Sequence, residues 1–392
     1  MSTAAATADL PLALYVHLPW CARKCPYCDF NSHAVRAPIP QDAYVDALIR
    51  DLDFELQQGE SRALSSIFFG GGTPSLFSAA SIGRILDAAA KRLHFSDDIE
   101  ITLEANPGTA DAAHFSGYRT AGVNRMSIGV QSFSDASLKA IGRIHDGAEA
   151  HRAIDLARAA GFDNFNLDLM FALPQQSIDA ALMDLTTALS LAPQHLSWYH
   201  LTLEPNTEFA VRPPPIPDSD TAADMHDQGC ALLGEAGFEH YETSAFARPG
   251  RASRHNLNYW QFGDYLGIGA GAHAKRSFMQ ADGMDIQRRS RHKHPRTFME
   301  TAGTAAAVQE TRQVELHERA FEFCMNAFRL HQGFSLDQFE ARSGLPLSAL
   351  QPRLDEAVVK GLIQIDSDGV RPTPSGLRYQ NRLISLFLPE AD

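Results

Sequence analysis

The sequence predicts an α/β fold in which a parallel sheet is followed by a smaller, mostly helical domain. From about residue 12, six short apolar segments alternate with amphipathic segments of helical spacing. Repeated strand–helix alternation is typical of a parallel sheet with helices outside it. From about residue 310, the pattern changes to successive helices and one pair of short strands. Six β/α units suffice for a barrel or part of one, and composition does not distinguish the two.

The six candidate strands are short apolar runs: Ala13–Leu18, Ser65–Phe69, Glu100–Ala105, Arg125–Val130, Asn166–Phe171 and Leu196–Leu203. In the first helical segment, Tyr44, Leu48 and Leu52 recur every four residues behind Asp42, a residue type suited to a helix N-cap. The segments predicted as helices between the strands are Asp42–Gln58, Ser81–Leu93, Ala148–Ala160 and Ser177–Ala192.

The prolines at 213–215 and 217 end this pattern. Consecutive prolines cannot continue a helix or a central strand, so they predict a loop that leaves the sheet. A helix is expected next at Asp218–Ala236, and a further strand at His240–Phe246. The basic stretch Arg288–His294 is either a solvated loop or a source of cations for an anionic ligand.

The last third of the chain predicts a winged-helix-like domain. Its expected helices are Val314–Leu330, Ser335–Ser343 and Leu347–Lys360, and a closing helix is expected at Ser375–Phe387. The strands Leu362–Ile365 and Val370–Thr373 are expected to pair across a turn. Winged helices often bind DNA, but this segment is not notably basic, which favours a structural or interaction role.

Composition indicates a globular protein without general affinity for polyanions. The chain has 392 residues, 44% of them hydrophobic and 21% charged, with a net charge of −13. This charge argues against nucleic acid and anionic membrane as partners. No apolar run reaches about 18 residues, so no transmembrane segment is expected. Residues 1–11 lack the basic region of a secretory signal and are expected to form a disordered leader of a cytoplasmic protein.

Three of the five cysteines fall within eight residues, as Cys21, Cys25 and Cys28. In a reducing compartment this indicates a metal site rather than disulfides. Thiolates spaced C-x3-C-x2-C after a strand can hold three corners of a [4Fe–4S] cluster and leave one iron open. A zinc site is the alternative, with His17 or His33 as a fourth ligand. Cys230 and Cys324 stand apart and are expected to be buried as small apolar residues.

Further polar and glycine residues follow the other predicted strands. A glycine run, Gly70–Gly72, precedes Thr73 and lets the backbone approach a ligand closely. Polar residues also stand at or within later strands, at Glu104, Gln131 and Asp168. Because sites on parallel α/β folds form at the carboxyl ends of the strands, we expect these groups around one cavity. Each, taken alone, is equally compatible with a satisfied polar group in the core.

The motifs together resemble the radical SAM superfamily, whose members bind S-adenosylmethionine (SAM). Tyr-Val-His-Leu-Pro-Trp-Cys21, Gly-Gly-Gly-Thr-Pro74, Leu-Glu-Ala-Asn-Pro107 and Ser-Ile-Gly-Val-Gln131 narrow the resemblance to the oxygen-independent coproporphyrinogen III oxidase family, which includes haem chaperones. The resemblance implies a partial (β/α)6 barrel at 12–245, a connecting segment at 246–305 and a helical domain at 306–392. It implies a [4Fe–4S] cluster on Cys21, Cys25 and Cys28. The implied SAM contacts are Tyr15, Tyr27, Gly71, Gly72, Thr73, Glu104, Gln131, Arg143, Asp168 and Thr202.

Two features separate the oxidases of this family from the chaperones. The oxidases resemble C-x3-C-x2-C-x-C, whereas Phe30 stands at the last position here. The motif His255-Asn-Leu-Asn-Tyr259-Trp260 is similar to that of the chaperone group. The resemblance therefore favours haem binding and transfer over oxidative decarboxylation of coproporphyrinogen III propionates, which remains the alternative.

For haem, a neutral His255 is a candidate axial ligand, with Tyr259 and Trp260 as apolar surface. Arg288, Arg289, Arg291 or Lys293 are candidates to meet the propionates. The competing interpretation is that His255 caps a helix and the two aromatic residues fill a core. The implied partners are haem and a haem-accepting protein, and a peripheral contact with a membrane-bound acceptor is compatible with the sequence.

Overall fold

The computed structural model of the protein describes residues 10–109, 112–281 and 283–389. In chain order its strands are β1 (Leu12–Leu18), β2 (Trp20–Cys21), β3 (His33–Ala34), β4 (Leu64–Gly71), β5 (Phe95–Ala105), β6 (Arg125–Gln131), β7 (Phe165–Phe171), β8 (His195–His200), β9 (Glu239–Glu242), β10 (Ala245–Ala247), β11 (Asp264–Ile268), β12 (His273–Gln280), β13 (Gly283–Arg291), β14 (Val308–Gln313), β15 (Ile363–Asp366) and β16 (Gly369–Pro372).

The α-helices are α1 (Gln41–Glu55), α2 (Ala79–Ala90), α3 (Ala112–Ala121), α4 (Asp135–Ala140), α5 (Gly147–Ala159), α6 (Ile178–Ser190), α7 (Glu208–Val211), α8 (Ser219–Glu235), α9 (Arg254–Trp260), α10 (Pro295–Thr301), α11 (Leu316–Ala327), α12 (Leu336–Ser343), α13 (Gln351–Val359), α14 (Pro374–Arg378) and α15 (Gln380–Ser385). Each helix predicted before residue 240 is present, with ends shifted by a few residues.

One large sheet runs in the order β14-β13-β12-β11-β1-β4-β5-β6-β7-β8-β10-β9. The six predicted strands are neighbours in it and are all parallel. Strand β11 pairs in parallel with β1 and adds a seventh, so residues 246–305 extend the sheet as well as connecting the two regions. The edge strands β14 and β9 are not paired with each other in the described part of the chain. The predicted partial barrel is therefore confirmed.

The two faces of the parallel strands differ in chemistry because side chains alternate along a strand. Apolar residues such as Val16, Phe69 and Leu103 point outward and pack against the helices, for example against Leu48 of α1 and Ile85 of α2. The intervening positions carry the polar residues and face inward. The helices thus cover the apolar face, and the inner face is left for a site.

The predicted strand His240–Phe246 consists of two strands rather than one. β9 and β10 pair antiparallel, with the chain turning back at Thr243 and Ser244. The region around the prolines at 213–217 contains no helix or strand, as predicted.

The basic stretch is not a solvated loop, because Arg288, Arg289 and Arg291 lie in β13. The Arg291 side chain is 1% exposed, and its Nε lies 2.8 Å from Asp51 Oδ1 on α1. It also pairs with Glu55 on the same helix, and Arg289 lies 3.4 Å from Glu55. Buried charges are stable only when paired, so these two arginines are not available to a ligand.

The C-terminal domain has the predicted order of helices, hairpin and closing helix. β15 and β16 pair antiparallel, and Phe323, Phe334 and Leu354 lie in a separate apolar core. The closing helix is interrupted at Tyr379, which divides it into α14 and α15. Cys324 is buried in this core, as expected, whereas Cys230 is only partly buried beside His226 and His240.

The first described residue also belongs to this second core. Leu10 is buried among the C-terminal residues, although residues 1–11 were expected to be a leader. Positions 1–9 of that leader lie outside the described residues. No helix of the described chain is long and apolar enough to cross a membrane.

The C-terminal domain attaches to the sheet at its β9 edge. The Thr243 amide donates to Arg329 O at 3.0 Å, and the His331 amide donates to Tyr241 O at 3.0 Å. A single β-bridge joins Glu242 to Leu330. The residues after α11 therefore run along the open side of β9.

Candidate functional site

The cysteine loop lies at the carboxyl end of β1. Strands β2 and β3 pair in parallel at its base, and the Cys28 amide donates to Cys25 O at 3.1 Å. All three thiols are free. Burial raises the pKa of Cys21 and of Cys28, and the neighbouring thiols contribute to both shifts. The loop therefore brings the three thiols together in a partly dry environment.

The donor set fits a cluster better than a zinc ion. Among the described residues, no three His, Cys, Asp or Glu side chains converge to hold a single metal ion. A cubane places its thiolates on different irons, so this finding does not bear on it. The His17 ring, a suggested fourth zinc ligand, lies 3.0 Å from the Tyr15 hydroxyl and 2.9 Å from Asn31 O, with one ring nitrogen at each.

The glycine loop after β4 packs directly against the cysteine loop. The amides of Gly72 and Thr73 donate to Leu18 O and Trp20 O, at 2.9 and 2.7 Å. A Cβ on Gly72 would lie 2.5 Å from Trp20 O, and one on Gly71 would lie 2.5 Å from the His17 ring. Glycine is required here because no side chain fits between the two loops, and Gly71 also has a φ of +115°.

Arg143 joins the cysteine loop to β6. Its guanidinium donates to Gly129 O at 2.7 Å and to Cys25 Sγ at 3.7 Å. Burial alone would lower the pKa of Arg143, but Tyr27 and Cys25 reverse the effect and raise it. Gln131 lies close to both Gly129 and Arg143. These predicted SAM contacts therefore share one corner of the inner face.

Glu104 and Asp168 form a second group on the same face. The Gly71 amide donates to Glu104 Oε2 at 3.3 Å. Burial, and then the nearby Asp168, raise the pKa of Glu104 to about 8. Burial also raises the pKa of the Tyr15 hydroxyl, with a smaller contribution from Glu104. The Gly71 amide and the carboxyl groups of Glu104 and Asp168 therefore lie close together on the inner face.

Sequence reasoning missed the polar layer beneath Asp168. Ser127 and Asn166 donate to the two oxygens of Asp168 at 3.0 and 2.8 Å. Asn166 Oδ1 in turn lies 3.1 Å from Ser197 Oγ and 2.7 Å from His195 Nδ1. In β6, β7 and β8, polar residues alternate with apolar ones. This alternation is the sequence pattern that could have indicated the layer.

His255 lies inside the partial barrel, on the first turn of α9. Its ring stacks on Phe68 with centroids 5.0 Å apart, and lies 6.3 Å from the ring of Tyr15. Its Nδ1 is 3.2 Å from Ser66 Oγ. Burial, and then the positive charge of Arg125, lower the pKa of His255 to about 3. The imidazole is therefore neutral near pH 7, and Ser253 rather than His255 caps the helix.

Tyr259 and Trp260 lie apart from His255, towards the C-terminal domain. Tyr259 is 36% exposed and packs against Tyr265 with ring centroids 5.3 Å apart. Arg329 lies 4.8 Å above the Trp260 ring. Arg288 donates to the Tyr265 hydroxyl at 3.3 Å. Of the arginines in the basic stretch, Arg288 is therefore the one that lies near Tyr259 and Tyr265.

Two predicted residues stand outside the main arrangement. Thr202 follows β8, and its hydroxyl donates to Glu204 at 3.0 Å. Phe30 is 63% exposed beside the cysteine loop, at the position where the resemblance to the oxidases would predict a further cysteine. Among the described residues, neither side chain is hydrogen-bonded to Glu104 or Arg143.

Comparison with known proteins is consistent with this site. Residues 15–186 match the radical SAM superfamily, and residues 314–379 match the HemN C-terminal domain. "Heme chaperone HemW" of Escherichia coli K12 is 50% identical over 380 residues, which cover 97% of this chain and 99% of that protein. The chain belongs to the HemW family. HemW of Haemophilus influenzae is 48% identical and covers 97% of this chain and 98% of its own length.

The HemW family shares its fold with a solved oxidase. The structure of coproporphyrinogen III oxidase (HemN) from Escherichia coli, a radical SAM enzyme, superposes with a TM-score of 0.79 at 22% identity. The match covers 98% of this chain and 92% of that one. This structural match establishes the fold. The family matches confirm the resemblance that the motifs predicted. As a radical SAM family, HemW implies a [4Fe–4S] cluster and SAM.

Proposed function

We propose that this protein is a haem chaperone that binds haem and transfers it to an acceptor protein. The observation that carries the proposal is half-identity over nearly the full length to proteins named heme chaperone. His255 supports it from the structure, because the half-buried ring is neutral and its Nδ1 is engaged by Ser66. That arrangement leaves Nε2 for an axial bond to haem iron.

The aromatic residues of the motif have a different role in this proposal. Tyr259 is exposed beside Arg288, and the Arg288 guanidinium is itself bonded to Glu322 at 2.7 Å. The exposed ring lies one helical turn from His255 and offers apolar surface for a macrocycle. A propionate at Arg288 would share the guanidinium with Glu322.

Replacing His255 by alanine is expected to weaken haem binding at least about tenfold, since even outer-shell changes at metal sites commonly cost that much. Haemin is titrated into purified wild-type and variant protein, and the Soret band is followed. His317→Ala serves as the control, because His317 is exposed on α11, and it should bind haem as the wild type does.

Circular dichroism and iron content must match between the three proteins, so that a folding defect is not mistaken for lost ligation. Equal affinity in wild type and His255→Ala would remove His255 as the ligand while leaving the chaperone function open. Failure of the wild type to pass bound haem to any haem-requiring apoprotein would contradict the function itself.

The cofactor residues proposed are those of the family pattern. Cys21, Cys25 and Cys28 would hold the cluster, and the Gly71–Thr73 backbone, Glu104, Arg143 and Asp168 would bind SAM. Cluster and SAM together supply one-electron chemistry when bound. The chain itself supplies a carboxyl group at Glu104, a fixed guanidinium at Arg143 and, at Gly71 and Gly72, a backbone that carries no side chain.

The Glu104→Gln variant is expected to bind SAM up to about tenfold more weakly, because a hydrogen bond contributes about 0.5–1.5 kcal/mol and burial beside Asp168 raises the pKa of this carboxyl group to about 8, so that it is mostly uncharged near pH 7. Equilibrium dialysis of labelled SAM against reconstituted protein measures this. Glu310→Gln, on the exposed strand β14, is the matched control. An unchanged dissociation constant for Glu104→Gln would exclude that carboxyl group from the SAM site.

The same scaffold could in principle carry oxidase chemistry, and Phe30 argues against it. Anaerobic incubation with coproporphyrinogen III, SAM and a reductant distinguishes the two functions. We expect no protoporphyrinogen IX from the wild-type protein. Formation of that product together with 5′-deoxyadenosine would replace the chaperone proposal by the oxidase.

A further inference from the structure

A series of buried hydrogen bonds leads from the proposed SAM site across β7 and β8 to β9. Asn166 Nδ2 donates to Asp168 Oδ1 at 2.8 Å, and Asn166 Oδ1 lies 2.7 Å from His195 Nδ1. On its other side, His195 Nε2 lies 2.8 Å from the Tyr241 hydroxyl. All three side chains between Asp168 and the end of this series are buried. We call Asn166, His195 and Tyr241 the buried relay.

The buried relay continues from Tyr241 to the first turn of α9. The Ser253 amide donates to the Tyr241 hydroxyl oxygen at 3.4 Å. Ser253 is the N-cap of α9, where its own hydroxyl accepts from the Asn256 amide at 3.4 Å. His255 follows two residues later. Contacts in series therefore join Asp168, a proposed SAM contact, to the helix that carries the proposed haem ligand.

The start of α9 also determines where the His255 ring lies. The Ser253 hydroxyl and the His255 amide both donate to Glu100 Oε1 at 3.3 Å. The His255 ring stacks on Phe68, and its Nδ1 is held by Ser66. A small shift of the N-terminal turn would therefore move the ring within the partial barrel.

The hydrogen bonds of the buried relay have one direction. Since the Asn166 amide group donates to Asp168, its oxygen faces His195 and accepts from Nδ1. Burial, and then Arg125, hold the pKa of His195 far below its usual range, so the ring is neutral and its Nε2 is an acceptor. The Tyr241 hydroxyl therefore donates to Nε2. Hydrogen bonds in series polarise one another, so each one strengthens the next.

A ligand at Asp168 acts on the first bond of this series. Burial raises the pKa of Asp168, which opposes the charged form in an empty site. SAM carries a positive sulfonium group, and a nearby positive charge favours the carboxylate. Because a carboxylate is a stronger acceptor than an uncharged acid, SAM would strengthen the bond from Asn166 and, through it, the rest of the series.

The competing interpretation is that these polar groups only satisfy one another inside the sheet. Buried polar groups require partners wherever they occur. Apolar side chains of similar shape can replace both partners of a buried hydrogen bond at little cost in stability, so stability alone does not require this path. The continuity of the path between two proposed sites favours coupling.

We infer that His195 is a positioning residue through which SAM at Asp168 strengthens haem binding at His255. The inference rests on the proposed function, which supplies both ligands. His195 acts through Asn166 on one side and Tyr241 on the other. Linkage then requires haem to strengthen SAM binding by the same factor.

The test uses full-length protein with a reconstituted cluster. Tyr241→Phe removes one hydroxyl and keeps the ring, and His195→Phe interrupts the relay at its centre. Tyr118→Phe is the control, because its buried hydroxyl donates to Phe77 O at 2.6 Å, outside the relay. Haemin is titrated anaerobically with and without saturating SAM, and the Soret band gives the dissociation constant. Equilibrium dialysis of labelled SAM with and without haem gives the reciprocal effect.

We expect saturating SAM to lower the haem dissociation constant of the wild type at least about fivefold, the lower end of typical couplings between sites. Tyr241→Phe and His195→Phe should bind each ligand alone but lose this dependence. Tyr118→Phe should keep it. Binding of each ligand alone separates loss of coupling from loss of a site.

The direction of the relay can be measured without either ligand. NMR of protein labelled with isotope-enriched histidine shows which ring nitrogen of His195 carries the proton, and the signal is assigned by its absence from His195→Phe. We expect the proton on Nδ1 in the wild type. A proton on Nε2 would contradict the direction on which the coupling depends.

An equal effect of SAM on haem binding in the wild type, Tyr241→Phe and His195→Phe would overturn the proposal. So would a haem affinity of the wild type that does not change with SAM, when both ligands bind. A wild-type protein that shows no Soret band with haemin before SAM is added would contradict the proposed function, and this inference with it.

Discussion

The Cys25→Ala variant is expected to contain no [4Fe–4S] cluster. Three thiolates already leave one iron without a protein ligand, so loss of another leaves two irons open and the cubane unsupported. Iron and sulfide per chain, counted after anaerobic reconstitution, should fall from about four of each to near zero. The broad visible absorbance of the cluster should disappear with them.

Cys230→Ala is the matched control for this variant, because Cys230 is also a partly buried free thiol but lies on α8. It should retain full iron and sulfide. A Cys25→Ala protein that still holds four irons would show that another side chain ligates the cluster. Loss of iron from the Cys230 variant would point instead to a site near His226 and His240.

The proximity of these three cysteines could be predicted from the sequence because all the information is local. The C-x3-C-x2-C spacing and the strand before it lie within seventeen residues, and the glycine loop follows the next strand of the barrel. Parallel strands place their carboxyl ends at one edge of the sheet. The alternation of side chains along each strand and the order of the strands were therefore enough to predict that Cys21 lies near Thr73 and Glu104 near Asp168.

Replacing Asp264 by asparagine is expected to lower the free energy of unfolding by about 3–5 kcal/mol at pH 7. The carboxylate is fully buried and lies 2.9 Å from both Lys275 Nζ and Arg62 Nη1. The Lys275 side chain is only 2% exposed, so the substitution leaves a buried cation without its counter-ion. Urea unfolding followed by circular dichroism measures the change.

The exposed pair of Asp42 and Arg84 provides the control, because Asp42 is 92% exposed. Asp42→Asn should change the free energy of unfolding by less than about 1 kcal/mol. The double variant Asp264→Asn/Lys275→Met removes both buried charges and should recover part of the loss. A single Asp264→Asn variant as stable as the wild type would show that Lys275 finds another partner.

The contribution of Asp264 also has a defined pH dependence. Burial alone would raise the pKa of Asp264, but Lys275 and Arg62 outweigh burial and hold it at about 2. Since the folded value lies below the unfolded value of about 3.9, the stabilisation is complete above about pH 4 and is lost as the pH falls towards 2. The difference between wild type and Asp264→Asn should narrow over that interval.

This network reaches the proposed haem ligand. Asn258 on α9 donates to Asp264 O at 2.9 Å, and Lys275 donates to Phe262 O just after that helix. The Asp264→Asn variant is therefore expected to disturb α9, which carries His255.

Sequence patterns could not reveal these parts of the structure because their contacts join distant segments. Arg291 lies 240 positions from Asp51 in the sequence and pairs with it, so a run of basic residues suggested a loop although its three arginines lie in a strand. His255 enters the barrel only because the chain returns after β10 and packs α9 against Phe68 on β4. The local motif identified the histidine but not its surroundings.

The attachment of the C-terminal domain along β9 bears on how much of this sheet edge is open to other chains. An edge strand offers free amides and carbonyls to any other extended chain, and such edges promote aggregation. Here the amide of Thr243 and the carbonyl of Tyr241 are already bonded to residues 329 and 331. The C-terminal domain thus blocks a position where a second copy could add its own strand, so a segment without a direct part in the cluster chemistry protects one edge of the open barrel from aggregation.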